Sequence, residues 1–161
     1  MAAPAVISRR VLYSGRDWCA SVLQSHASHP SLIYFRSVGV GSGWPATLGA
    51  MMDLALILEL LVDDHASRGP SVLLRHEGLR LIGELNGLVG LKPGSDGTTA
   101  DIVPKICRRL ATAGYKLRSP IDAAGFAELR REHARAIQAT AEHLGVPPAP
   151  LLPERSHRRT A

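Results

Sequence analysis

Residues Trp18–Leu58, WCASVLQSHASHPSLIYFRSVGVGSGWPATLGAMMDLALIL, decide how this chain is read. The stretch opens as a helix bearing Trp18, which Pro30 stops; Ser31 can cap a short turn carrying Leu32, Ile33, Tyr34 and Phe35. Gly39, Gly41 and Gly43 then form a hinge. Pro45 suits the first turn of the next helix, where a missing N–H is no loss. From Leu48 to Val62 only Gly49, Asp53 and Glu59 interrupt apolar residues. A helix apolar on nearly every side must be surrounded by others, so 45–64 is predicted to be the central element. Trp18, Tyr34, Phe35 and Trp44 flank it in sequence and are expected to pack over its ends.

Working outward, residues 1–12 read as a flexible arm. Ser14 and Asp17 make an acceptable helix start, giving a first helix to about His26 with Trp18, Cys19, Val22 and His26 toward one face. After the central helix, Ser67, Gly69 and Pro70 mark a break. Pro70 opens a helix carrying Leu74, Leu81, Ile82 and Leu85, along which Gly78, Gly83 and Gly87 would let a neighbour approach closely. Thr99 or Asp101 starts a further helix stopped by Gly114, and Ser119-Pro120 begins the last, reaching about Leu144. On that last helix Phe126, Leu129, Ala136, Ile137 and Leu144 mark the inner side, and Arg130, Arg131, Glu132 and Arg135 the wet side. Residues 146–161 form a Pro-rich, basic tail. No β-branched residues alternate with polar ones over a strand length. The prediction is an all-α domain over 13–145, a compact bundle of about five helices around the central apolar helix.

Aromatics supply only 4% of the 161 residues, so Leu, Ala, Ile and Val must fill the core. The net charge of +5 gathers at the ends, at Arg9, Arg10, Arg155, Arg158 and Arg159. Such ends read as solvated tails, with an anionic membrane surface as a partner open to Arg9 and Arg10. Basic residues do not cluster on one predicted helix, so no nucleic-acid partner is expected. Cys19 and Cys107 form no C-x-x-C pair and read as buried free thiols. MAAPAVISRR does not read as a signal peptide, because its charges follow the apolar run. Pro45–Val62 is short for a bilayer crossing and contains Asp53 and Glu59, so it is read as a core helix.

Few constellations invite chemistry. Ser37-Val38-Gly39-Val40-Gly41 looks like a potassium filter only superficially, since no spans surround it. The Gly39-x-Gly41-x-Gly43 spacing is not a dinucleotide fingerprint. His26 with His29, His65 beside Asp63 and Asp64, and His76 near Glu77 lack further ligands at metal-binding spacing. Asp53 and Glu59 cannot act as a paired acid and base, because six residues apart on a helix they point differently. Each needs a partner inside an apolar helix, and Arg36, Arg75 and Arg80 are the candidates.

The order of these pieces resembles the cytoplasmic C-terminal domain of bacterial two-transmembrane, potassium-channel-like (ion channel 2) proteins. The residues carrying it are Trp18, the run HASHPSLIYFRS at 26–37, Trp44, and the helix at 48–58 with Asp53. Arg75-His76, Phe126-x-x-Leu129-Arg130 and the Leu- and Pro-rich stretch at 146–153 continue it. The pore spans of that family are not in this sequence, which is therefore not expected to conduct ions. The resemblance implies a non-catalytic accessory or regulatory domain, cytoplasmic or at the inner membrane face. It would act by self-association or by docking to a membrane channel portion. It implies no catalytic residue, cofactor or metal. Trp18, Arg36, Trp44, Asp53, Arg75 and His76 are the structural or interface candidates. The alternative is a stand-alone helical module that binds a ligand or a protein and is unrelated to channels.

Overall fold

The computed structural model describes residues 9–34, 43–95, 97–147 and 149–152. Among these, Arg9–Ser28 forms α1 and Pro30–Tyr34 a 3₁₀ turn. Gly43–Leu60 (α2), His65–Val89 (α3), Ile102–Thr112 (α4) and Ala123–Leu144 (α5) complete an all-α bundle. No strand occurs among the described residues; Val62 and Leu117 meet in an isolated antiparallel bridge. There the Asp63 N–H donates to the Lys116 carbonyl at 2.8 Å and the Arg118 N–H to that of Leu61 at 3.0 Å, joining the α2–α3 and α4–α5 connections.

Helix limits follow local chemistry. α1 begins at Arg9 rather than Ser14, because fully buried Leu12 anchors that turn to the core. Asp64, not Pro70, sets the start of α3: its carboxylate accepts from the Ala66 N–H at 3.0 Å and from the Ser67 hydroxyl. A cap there satisfies free N–H groups, and Pro70 inside the helix removes only one further bond. Asp122 caps α5 by accepting from the Gly125 N–H at 2.8 Å. Gly90 and Gly145, with φ of 71° and 62°, close α3 and α5 in the left-handed conformation that favours glycine.

The core has two connected parts. One joins α1, α2, α3 and α5 around Leu12, Leu48, Met52, Leu81 and Ile137. The other sets Leu56 and Leu61 against Val103 and Ile106 of α4 and Phe126 of α5. α2 packs on α3 and α5, while α3 packs on α1, α2 and α5, so the two helices share the centre. Contrary to the expectation from its composition, α2 is not enclosed on every side. Thr47 and Ala50 are exposed and Met51, Leu54 and Ile57 half-buried, all along one stripe. Trp18 and Trp44 pack against the core but are only partly buried. Phe35, like Arg36 and the Gly39–Gly41 part of the hinge, lies outside the described residues.

Of the three glycines read as contact points on α3, only Gly78 is one. A Cβ there would lie 2.1 Å from Met52 Sδ, whereas Gly83 and Gly87 face open space. Met52 is fully buried, so making room for that Cβ means repacking the core around it. Gly83→Ala and Gly87→Ala are therefore expected to stabilise by up to about 1 kcal/mol each, the helix-propensity gain alone. Gly78→Ala should destabilise, because overpacking of about 1–3 kcal/mol outweighs that gain. Urea midpoints of the three variants test this; a stabilised Gly78→Ala would show that α2 and α3 are not in tight contact.

Candidate functional site

Two of the buried polar groups are carboxylates of α2, which carries Asp53 and Glu59 into the interior at 7% and 9% exposure. A carboxylate moved out of water must be paired or must take up a proton. Arg75 of α3 meets Glu59 in a two-pronged pair, Nε to Oε2 at 2.8 Å and Nη2 to Oε1 at 3.3 Å. Both side chains are nearly excluded from solvent, at 10% and 11%.

Asp53 is met from α5. Arg130 Nε donates to Oδ1 at 3.1 Å and Nη2 to Oδ2 at 3.3 Å, and His133 Nε2 lies 2.9 Å from Oδ1. A carboxylate oxygen accepts, so His133 carries a proton on Nε2. Arg130 Nη1 also donates to the Thr98 hydroxyl in the α3–α4 connection. Beside this cluster lies a cavity of about 80 Å³, lined by Asp53, Arg130, His133, Gly49, Ile137 and Ala149 among others. That is well short of a pocket for an organic substrate.

The geometry speaks against an Asp–His catalytic dyad. Such a dyad needs the second imidazole nitrogen turned toward a nucleophile or substrate. Here His133 is 1% exposed, and its Nδ1 is buried with no hydrogen-bond partner. Arg130 occupies the other carboxylate oxygen. The cluster is a clasp between α2 and α5. A second clasp joins α3 to α5: Asn86 Nδ2 donates to the Ala136 carbonyl at 2.9 Å, and the Thr140 hydroxyl donates to Asn86 Oδ1.

The six candidates from sequence do not converge. Asp53 and Arg75 lie in separate ion pairs, and Arg80 serves neither, pairing instead with Glu84 at 2.9 Å on the surface. His76 is exposed on α3. Trp44 meets the ring of His26, centroids 5.9 Å apart, and Trp18 lines a shallow apolar groove with Val11, Gly15 and Met51. Arg36 lies outside the described residues. Arg130 is not on the wet side of α5 as expected; its side chain is 11% exposed. A signal for it existed: Phe126, Arg130, His133 and Ile137 recur at helical spacing, so Arg130 and His133 fall on the same stripe as the two apolar residues. No group of three metal-ligating side chains occurs among the described residues.

At the surface, Lys116 Nζ sits 2.6 Å from Asp63 Oδ2 and holds that carboxyl below its usual range. Cys19 is fully buried. Burial, and then the charge of Glu77, push its thiol up to about 11. Comparison with family models, curated proteins and solved structures finds no match to this chain.

Two predictions follow from the buried groups. Arg75→Met should destabilise by about 3–5 kcal/mol, because Glu59 is left charged and unmet. Adding Glu59→Leu should restore most of the loss, since an apolar pair of similar volume is often neutral or better. Denaturant titration decides; a double variant no more stable than the single would show that the charge is not what destabilises it. The second prediction concerns the thiols. The folded value of Cys19 lies above the ordinary 9.0, so its contribution to stability is complete below about pH 9 and is lost as pH rises toward 11. At about pH 8 a disulfide reagent should modify half-buried Cys107 first and Cys19 only on unfolding. Equal native rates for the two would contradict the buried placement of Cys19.

Proposed function

We propose that this chain is a non-catalytic helical accessory domain that works by binding a second copy of itself. The observation that carries the reading is the open stripe on α2. Thr47, Ala50, Met51, Leu54 and Ile57 share one helical face, exposed or half-buried, with no charged residue among them. The interior carboxylates of α2 are both consumed by pairing, so its open side offers contact and no chemistry.

A second copy suits this stripe better than a charged partner does. The five stripe residues carry no charge of their own and so give no complementarity to an acidic or basic surface, although Arg10 of α1 lines the same groove as Thr47 and Met51. Small Thr47 and Ala50 lie beside larger Met51 and Leu54, so two stripes related by a two-fold axis can set small against large. α2 is apolar and long enough, at 18 residues, to pass as a membrane span, but half of it is buried within the bundle. That burial and the two internal ion pairs support a bundle helix over a span.

The resemblance to the tails of potassium-channel-like proteins agrees with this reading. Exposed Arg9 and Arg10 open α1, where a preceding pore helix would enter, and basic residues are favoured at a cytoplasmic membrane face. In that setting, pairing of the domain would bias a pore only if the contact differed between its open and closed states.

Sedimentation equilibrium over a range of concentrations tests self-association. A dimer is expected, and Ala50→Glu, at an exposed position, should dissociate it without lowering the thermal stability of the monomer. A chain that is monomeric throughout, or a dimer indifferent to Ala50→Glu, would overturn the reading.

A further inference from the structure

Contrary to the expectation that basic residues do not cluster on one helix, α4 carries three of them within five residues. Arg108 and Arg109 each lie about one turn from both Lys105 and Thr112, so the four fall along its outer side. Together with Ala113 and Leu152, which the chain brings back from beyond α5, they line a groove of about 530 Å³. All three basic side chains are exposed, and among the described residues no carboxylate lines the groove. Among the described residues none of the three forms an ion pair, although acidic partners are found for Arg16, Arg75, Arg80, Lys116 and Arg130.

This arrangement has no folding purpose of its own. Like charges one turn apart repel on a helix. The C-terminal carbonyls of α4 favour a cation near Arg109, but not Lys105, which lies in its first half. The inner side of the helix, Val103 and Ile106, anchors it to the second part of the core without help from these charges. Two guanidinium groups and an ammonium are instead a donor set for phosphate oxygens. Arginine offers a planar fork to two oxygens and lysine a compact charge, while the Thr112 hydroxyl donates to the Arg108 carbonyl at 2.9 Å. The groove also falls in the size range of small-ligand sites. Leu152 on its far side would face an apolar part of the ligand.

We propose that the α4 groove binds a phosphoryl group, carried by a soluble phosphorylated molecule or by a lipid headgroup. The site lies on a different helix from the α2 stripe, so it stands or falls independently of self-association.

The test uses the full chain. Tripolyphosphate is titrated calorimetrically at low and high salt, and sedimentation follows binding to phosphatidylcholine vesicles with and without phosphatidic acid. Arg108→Gln/Arg109→Gln should weaken binding at least about tenfold, the loss of a charge-assisted hydrogen bond or more. Arg68→Gln/Arg131→Gln removes the same charge at exposed positions elsewhere and should leave affinity unchanged. Circular dichroism checks that both pairs remain folded. Binding of tripolyphosphate without retention on acidic vesicles supports a soluble ligand. Retention on phosphatidic acid vesicles that tripolyphosphate competes away supports a headgroup. Equal losses in the two variant pairs would reduce the effect to net charge and overturn the site. So would an absence of binding to both probes, or α4-dependent binding of duplex DNA tighter than that of tripolyphosphate, which would assign the groove to nucleic acid.

Discussion

Two carboxylates on an apolar helix set the terms for the rest of this structure. Asp53 and Glu59 enter the interior on α2, and neither can stay charged there without a cation. Glu59 draws in Arg75 and with it α3; Asp53 draws in Arg130 and His133 and with them α5. Because the carboxylates point to different sides of α2, the two pairs fix different neighbours. Hydrophobic burial supplies most of the driving force, but it is nondirectional. The ion pairs are directional, and a slipped register of α3 or α5 would leave a buried charge unmet. Fixing a register is the best-attested use of such groups.

Close packing reinforces the same arrangement. Gly78 admits the Met52 side chain between α2 and α3 where any Cβ would collide with it. Asn86 and Thr140 then tie α3 to α5 through hydrogen bonds that close a triangle of helices. α1 lies outside that triangle on α3, and α4 on its other end against Leu56, Leu61 and Phe126. Both outer helices keep a free side, and so does the stripe of α2.

The buried polar centre is spent on architecture, and the surfaces left over carry the functional argument. The open α2 stripe is apolar, uncharged and of mixed side-chain size, which suits its own image. The α4 groove is cationic and without an ion-pair partner among the described residues, which suits phosphate. Neither depends on the other, so a domain that pairs through one helix and senses an anion through another is physically consistent with this fold.

Much of the helical class was legible in the sequence, because helix formers, proline and glycine punctuation and capping aspartates act over a few residues. The stop at Gly145 is a local effect of that kind, whereas α3 and α5 start from the caps Asp64 and Asp122 and not at the expected Pro70 and Ser119-Pro120. Also legible was the need of Asp53 and Glu59 for partners, which follows from burying a charge in an apolar helix. Arg75 stood among the candidates for Glu59. Arg130 and His133 did not for Asp53, since they lie 77 and 80 residues away and polar residues on an amphipathic helix are read as facing water. Their spacing with Phe126 and Ile137 held the answer, but only once polarity was ignored. The exposed side of α2 was hidden for the converse reason: composition shows that a helix is apolar, while the number of its neighbours is set by how the other helices stack. The α4 groove needed Leu152 returned to Arg109 from beyond α5, and only the closed chain decides such a meeting.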